Sequence, residues 1–276
     1  TMSAIKNKMT ELDGDVSYIG LPTSVIHSLN FDQEVSRSAI GQPIGSFYAY
    51  KEDGLFQSEA EIKSYTNNKG ELLQPNAKPG DIKFVDVNGD GVIDGNDRDY
   101  IGNPLPDVTA GLTLGVNFHN FDLSLFFQGM FGNDVYDLTR YVGDFYNQSQ
   151  YNKNSRVVNA WTPTNTNTDI PRVTMDDPNN NIRPSSYYVQ DASFVRLKNM
   201  KIGYSVPQSI LSKIKFNSLY IYAQATNLFT ITGYDGIDPE VGLQSYSSDY
   251  RNLDMGVDRG IYPLSRTFTF GVNVSF

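Results

Sequence analysis

The stretch with the clearest chemical potential is an acidic loop that begins at Asp86 and reads DVNGDGVIDGND. Oxygen-bearing side chains recur along it at the spacing of a calcium-binding loop, and Gly91 stands where the sharp turn favours a residue without Cβ. Calcium takes six to eight oxygen ligands, and this spacing wraps them around one point. The predicted calcium ligands are Asp86, Asn88, Asp90, Val92 (through its carbonyl oxygen), Asp94 and Asp97.

Two features separate this loop from an EF-hand. Asp97 occupies the last ligand position, where the longer side chain of Glu reaches the ion more easily in a bidentate manner. The preceding run, Gly80 to Val85, reads as a strand rather than a helix. The alternative is a metal-free loop that its own side chains hold through Asx turns. If calcium binds, we expect a structural role, because the protein fills all the ligand positions.

The rest of the sequence gives little support for catalysis. His27 and His119 are the only histidines, and their spacing does not suggest a metal pair. No nucleophile elbow or Walker loop is present. The chain has no Cys, which excludes disulfides and Cys-ligated metals. The net charge of −9 argues against nucleic acid as the main partner. We therefore expect a protein that is not an enzyme.

The acidic loop is followed along the chain by segments of alternating hydrophobicity. From Val108 to Phe118, and again from Arg266 to Phe276, apolar residues alternate with small or polar ones. This period of two is typical of a strand with one apolar and one polar face. About ten residues suit a tilted strand that crosses a bilayer, whereas no run approaches the roughly 20 apolar residues of a spanning helix. A final strand that ends in Phe is similar to the C-terminal signal of bacterial outer-membrane barrels.

Three further segments read as strands. Residues 121–129 follow the first strand after a two-residue turn at 119–120, which predicts a hairpin. Residues 192–206 change their apolar parity near 198–199, which predicts a β-bulge. Residues 219–227 alternate in the same manner as the others.

The connections between these strands alternate between long and short. The long ones cover residues 57–107, 132–190 and 230–264, and the short ones cover 119–120 and 207–215. Outer-membrane barrels have short periplasmic turns and long extracellular loops, whereas a sandwich has no reason to place its long loops at one end. The sequence therefore predicts an all-β fold, a segment of an antiparallel transmembrane β-barrel with long extracellular loops. One of those loops would carry the acidic loop.

Several short motifs, in their order along the chain, resemble the SusC/RagA family of TonB-dependent outer-membrane receptors. They are Phe84–Asp94 with Ile101–Pro106, Phe127–Gly129 with Gly132–Tyr136, Trp161–Pro163, Phe194–Asn199, Asn227–Thr230, Asp238–Glu240 and Tyr262–Phe276. The resemblance implies that residues 1–276 form roughly the last seven strands of a 22-stranded barrel. It implies that the plug domain and signal peptide are absent from this chain. It also implies a place in the outer membrane of a Gram-negative bacterium, among the Bacteroidota.

The resemblance further implies import of glycans or peptides, with a SusD-like surface lipoprotein as a lid. The TonB complex would act through the missing N-terminal part. Sugar rings and peptides pack on flat apolar faces with polar tips nearby, so aromatic residues of the loops are candidates for cargo contact. These candidates are Tyr141, Tyr146, Tyr151 and Trp161. The alternative is that the rings pack the loops against each other or against the lid.

A second hypothesis for the whole chain is a soluble, secreted, calcium-stabilised β module that binds glycans through its loop aromatics. It accounts for the many Tyr residues and for the acidic loop. It does not account for the clean apolar faces of the long strands or for the alternation of loop lengths.

Overall fold

The computed structural model describes residues 1–20, 33–146, 152–242 and 253–276, and it is built mainly of antiparallel strands. The strands are β1 (Met2–Ala4), β2 (Tyr18–Gly20), β3 (Ser36–Ala39), β4 (Ser46–Tyr50), β5 (Glu52–Leu55), β6 (Ile82–Phe84), β7 (Arg98–Gly102), β8 (Val108–Phe118), β9 (Phe121–Phe131), β10 (Asp134–Asp137), β11 (Val189–Asp191), β12 (Phe194–Ser205), β13 (Ser218–Thr226), β14 (Thr230–Thr232), β15 (Val257–Asp258) and β16 (Thr267–Ser275). The helices are α1 (Glu59–Ser64), α2 (Thr139–Asp144) and α3 (Gln208–Ile214). Within the described ranges, no helix is long and apolar enough to cross a membrane.

The largest element is a seven-stranded sheet, which we call the wall. Its order is β1-β8-β9-β12-β13-β16, with β14 beside β12. The predicted strand from Val108 to Phe118 coincides with β8, and the predicted turn at 119–120 joins it to β9. The predicted β-bulge is also confirmed, because the register between β12 and β9 shifts between Leu197 and Asn199. The period-two pattern therefore located the long strands of the wall and the irregularity between β12 and β9, but it did not predict the short strands β1 and β14.

The register of the wall places apolar side chains of neighbouring strands side by side. Leu114 pairs with Leu125, which pairs with Met200 on the next strand. On the last strand pair, Ala223 lies beside Phe270. Many of these apolar side chains are exposed, Phe270 among them. A continuous exposed apolar face of this extent indicates an apolar surrounding such as lipid.

The opposite face of the wall carries polar side chains. The hydroxyl group of Tyr220 donates to Asp122 Oδ2 at 3.0 Å, which ties β13 to β9 across β12. Lys201 Nζ lies 4.8 Å from the ring centroid of Tyr220 and 5.0 Å from that of Tyr222. In a closed barrel this face lines the interior, where polar side chains are expected.

The long connections pack together at the ends of the wall strands that lie away from the turn at 119–120. We call this unit the loop assembly, and it comprises residues 18–20, 33–107, 132–146, 152–193, 233–242 and 253–264. Its sheets have the orders β2-β3-β4-β7, β11-β10-β15 and β5-β6. Its main core consists of Val35, Phe47, Leu55, Ile82, Phe84, Tyr136, Leu138, Tyr141, Phe145, Trp161, Ile182, Tyr187, Tyr188, Leu253 and Val257.

This core changes the interpretation of residues 132–190, which have little regular pattern in the sequence. The segment contains β10 and α2, and it supplies many of the buried aromatic rings. The rings of Tyr136 and Tyr188 stack at a centroid distance of 5.4 Å, and both side chains are fully buried. The buried aromatic residues of this segment therefore contribute to a three-dimensional core rather than to one face of a strand.

Candidate functional site in the loop assembly

The acidic loop Asp86–Asp97 connects β6 to β7, and its own side chains hold it. The Asp86 carboxylate accepts hydrogen bonds from the backbone N–H groups of Gly89 and Gly91 at 2.7 and 2.9 Å. Asp90 Oδ1 accepts from the N–H of Val92 at 2.9 Å. These bonds from Asp side chains to nearby backbone are Asx turns, the alternative that the sequence left open.

Asp97, the last predicted ligand, is fully buried and anchors the loop. Its Oδ1 accepts from the N–H groups of Val87 and Asn88 at 2.9 and 3.3 Å, and its Oδ2 accepts from that of Asp94 at 2.8 Å. Both carboxylate oxygens therefore already have donors. Over the ranges that the structure describes, no three His, Cys, Asp or Glu side chains are grouped closely enough to hold a metal ion. Calcium binding by this loop stays a prediction.

Two of the predicted cargo-contacting aromatics, Tyr141 and Trp161, lie in the core of the loop assembly. Each is only 7% exposed. The indole Nε1 of Trp161 donates to Gln57 Oε1 at 2.9 Å. Its ring lies so close to Gly80 that a Cβ there would be 2.4 Å from the ring carbon Cε3. Because these rings are covered by the protein itself, their burial favours the packing role over contact with cargo.

The other two aromatic candidates differ from this pair. Tyr146 is exposed, and Lys153 Nζ lies 5.4 Å from its ring centroid. Tyr151 lies outside the described residues. Of the predicted aromatic contacts, Tyr146 is thus the one whose described surroundings leave its ring open to a ligand.

Sequence reasoning missed a set of buried amides that supports the strand before the acidic loop. One edge of β6 pairs with β5, and side chains satisfy the other edge. The N–H of Ile82 donates to Asn181 Oδ1 at 2.8 Å, and that of Phe84 donates to Gln74 Oε1 at 2.8 Å. Asn179 Nδ2 donates to the carbonyl of Ile82 at 2.9 Å. These amides replace a neighbouring strand, and nothing in their local sequence indicates it.

A buried ion pair joins two of the long connections beside these amides. Arg172 Nε lies 2.6 Å from Asp81 Oδ1, and Asn181 Nδ2 donates to the same oxygen at 2.9 Å. Asp81 is fully buried. Removing one partner of such a pair would leave an uncompensated buried charge, so loss of Arg172 or Asp81 alone would destabilise the contact between the two connections.

A second buried ion pair fixes the last long connection to the wall. Arg196 pairs with Gln128 on the polar face of the wall, and its guanidinium contacts Asp238 at 2.5 Å and Glu240 at 3.0 Å. Lys198 Nζ lies 2.8 Å from the same Glu240 carboxylate. Burial alone would raise the pKa of Asp238, but hydrogen bonds from the Glu240 N–H and from Arg196 hold this pKa below its ordinary value. The contact unites two of the sequence motifs, 194–199 and 238–240.

Together these features define a class of protein. An antiparallel wall with an exposed apolar face, tight connections at one end and a packed loop assembly at the other is the arrangement of an outer-membrane β-barrel segment.

No family model matches the chain. TonB-dependent receptor P3 of Formosa agariphila is 37% identical over 272 residues, which are 98% of this chain and 26% of that protein. TonB-dependent receptor SusC of Bacteroides thetaiotaomicron is 27% identical over 275 residues, which are 98% of this chain and 23% of that protein.

Solved structures agree in fold. The RagAB peptide importer in its open-open state superposes with a TM-score of 0.67 at 23% identity, over 98% of this chain and 25% of that chain. Its closed-closed state gives a TM-score of 0.65 at 24% identity, over 98% of this chain and 26% of that chain. The chain spans about a quarter of the length of the curated relatives it matches. It belongs to the SusC/RagA family of TonB-dependent receptors, which are outer-membrane proteins and not enzymes.

Proposed function

We propose that this chain is part of an active importer that takes up glycans or peptides across the outer membrane. The observation that carries the proposal is a relationship to TonB-dependent receptors over 98% of a chain whose wall exposes a continuous apolar face. The loop assembly then stands on the outer side, where it meets cargo first. Energy for uptake would come from the TonB complex through parts of the receptor that lie outside this chain.

Deletion of the gene that encodes the receptor tests this role. Growth of the deletion strain is compared with the parent strain on single glycans and on peptides as sole nutrients. We expect loss of growth on one nutrient class and recovery when an intact copy of the gene is returned. Unchanged growth on every nutrient, together with unchanged uptake of labelled cargo, would contradict the proposal.

A SusD-like surface lipoprotein is the partner that we propose. The relationship to SusC, and the packed loop assembly at the end of the barrel where a surface protein sits, support this partner. Affinity purification of the full-length receptor in mild detergent should recover the lipoprotein at a ratio near one to one. Purification of the receptor alone, under conditions that preserve related complexes, would exclude a stable complex.

We also propose that the acidic loop Asp86–Asp97 binds calcium in a structural role. Support comes from the ligand spacing in the sequence, whereas the hydrogen bonds of Asp97 weaken the last ligand position. Extracellular calcium modules bind with Kd values of roughly 0.1 to 1 mM, so 5 mM calcium would stabilise the loop by about 1 to 2 kcal/mol. Melting of the receptor with calcium and with chelator measures this shift. The variant carrying Asp86→Ala and Asp90→Ala should lose the shift, and a wild-type receptor that shows none would refute calcium binding.

A further inference from the structure

A cavity of about 540 Å³ lies between the start of α2, the short helical turn Ser155–Asn159 and the segment 235–237. This volume is within the range of small-molecule sites. Its charged lining residues are Arg140, Arg156, Asp137 and Asp235, and none of the predicted aromatic contacts that the structure describes lines it. Exposed Ile237 forms an apolar rim.

Arg140 is buried but not fully hydrogen-bonded. It is 6% exposed, and its Nη1 and Nη2 donate to the carbonyl of Tyr187 at 2.8 Å and to Asp235 Oδ2 at 3.1 Å. Its Nε has no hydrogen-bond partner among the described residues, and Asp137 Oδ2 lies 3.5 Å away. Because this Nε is enclosed, a ligand would reach Arg140 at Nη2, in place of the exposed Asp235 carboxylate.

Arg156, on the other side of the cavity, is held loosely. Its guanidinium lies 3.4 Å from Asp144 and 3.3 Å from Asp169, longer than the distances of about 2.7 to 2.9 Å of strong charge-assisted bonds. Asp144 already accepts a 2.6 Å bond from the Tyr187 hydroxyl group. The carboxylates of Asp169 and Asp235 are exposed, so water can replace them at the two arginines. Each guanidinium group therefore has an N–H donor that could exchange its present aspartate partner for a stronger acceptor.

We propose that this cavity binds a carboxylate group of the imported cargo through Arg140 and Arg156. A guanidinium group presents parallel N–H donors that match the two oxygens of a carboxylate. Ile237 would pack against the apolar part of the ligand beside that carboxylate. The inference rests on the proposed import function and specifies a cargo that carries a carboxylate group. Such a carboxylate comes from a uronic acid residue of a glycan or from the C terminus of a peptide.

Calorimetric titration of the full-length receptor in detergent tests the inference with two matched pairs of probes. One pair is oligogalacturonate and a neutral oligosaccharide of equal length, and the other is a short peptide with a free or an amidated C terminus. We expect one acidic probe to bind at least tenfold more tightly than its neutral counterpart, and the pair that shows this preference identifies the source. Equal affinity within both pairs would overturn the inference. Loss of growth in the gene-deletion strain, with recovery when the gene is returned, would then leave the import function intact.

Two variants with opposite expected effects keep the test specific to the cavity. Arg156→Gln should weaken the acidic probe about tenfold or more, because one charge-assisted contact is lost, and leave the neutral probe unchanged. Asp235→Asn should strengthen the acidic probe several-fold, because it removes a competing carboxylate from Arg140. Lys51→Gln, which changes an exposed lysine outside the cavity, is the control. If Asp235→Asn weakens binding as Arg156→Gln does, the aspartate is itself a ligand contact and the carboxylate assignment is wrong.

Discussion

Leu114 and Leu138 are the same residue type in the same chain, yet Leu114 in the wall is 46% exposed and Leu138 in the loop assembly is 0% exposed. The wall turns its apolar side chains outward on alternate positions, whereas the loop assembly collects them in an interior core. The difference follows from the surrounding medium. Lipid accepts an exposed apolar face, while water drives the same side chains inside.

The two regions also satisfy their backbones differently. Long strands of the wall pair with neighbouring strands along most of their length. In the loop assembly, side chains such as Gln74 and Asn181 take the place of a strand beside β6. Changes of single residues should therefore act through packing and hydrogen bonds in the loop assembly, and through contact with lipid in the wall.

The largest effect should come from Gly80→Ala in the loop assembly. Gly80 has a φ of +88°, and an added Cβ would meet the ring of Trp161 at 2.4 Å. Backbone strain and overpacking together should cost about 3 to 5 kcal/mol of local stability. Hydrogen exchange of peptides around residues 56–82 in the full-length receptor measures this loss.

Gly70→Ala, at φ +80° with nothing within 4 Å, isolates the backbone strain and should cost only about 1 to 2 kcal/mol. Equal losses in the two variants would show that the contact with Trp161 is not tight.

Leu114→Lys tests the wall directly. A lysine on the lipid face near the middle of the bilayer costs about 2 to 4 kcal/mol, so less receptor should reach the outer membrane in heat-modifiable form. Val158→Lys is the matched change at an exposed valine of the loop assembly, and it should be neutral within about 0.5 kcal/mol. Similar tolerance of both changes would remove the distinction between the two regions.

Asn181→Ala should have an intermediate effect. It leaves the N–H of Ile82 and the carboxylate of Asp81 with fewer partners inside the protein, at a cost of about 1 to 3 kcal/mol. Asn167→Ala removes an amide at an exposed position and should change stability little. Protection of the β6 backbone against hydrogen exchange separates the two variants. Unchanged protection in Asn181→Ala would mean that the amides do not act as a substitute strand.

The smallest effect concerns Glu52, whose pKa is raised by burial and by the nearby carboxylates of Asp169 and Asp53. The folded state binds this proton more tightly than the unfolded state, so stability falls as pH rises from the ordinary glutamate pKa of about 4.3 through the raised value. Glu52→Gln should stabilise the loop assembly at neutral pH by no more than about 0.5 kcal/mol and leave acidic pH unaffected. Melting curves at pH 4 and pH 8 show whether Glu52→Gln raises or lowers stability at each pH. Glu59→Gln, at an exposed position, is the control. A loss of stability at pH 8 would show that the ionised carboxylate is favourable there.

The sequence was sufficient for the five long strands of the wall because alternation is a local property, whereas the short β1 and β14 were not predicted. It placed β8 to the residue, and it found the bulge at Lys198 from a change of parity. The loop assembly could not be predicted in the same way, because its contacts join distant residues. Gln74 bonds to Asn179 across 105 positions, and the burial of Trp161 depends on its packing against Gly80. The sequence analysis predicted cargo contact for Tyr141 and Trp161 from their aromatic type alone, whereas both rings lie in the core.

Fluorescence quenching by lipid measures directly which side chains of the receptor meet the membrane. Single cysteines at Leu114, Thr113 and Val158 are labelled with an environment-sensitive fluorophore, in a full-length receptor that has no other accessible cysteine. The receptor is then reconstituted in brominated lipid, which quenches only nearby labels. A membrane-spanning wall with one lipid face predicts strong quenching at Leu114, and none at Thr113 on the opposite face or at the exposed Val158. Equal quenching at Leu114 and Thr113, or none at either, would contradict a membrane-spanning wall with one lipid face.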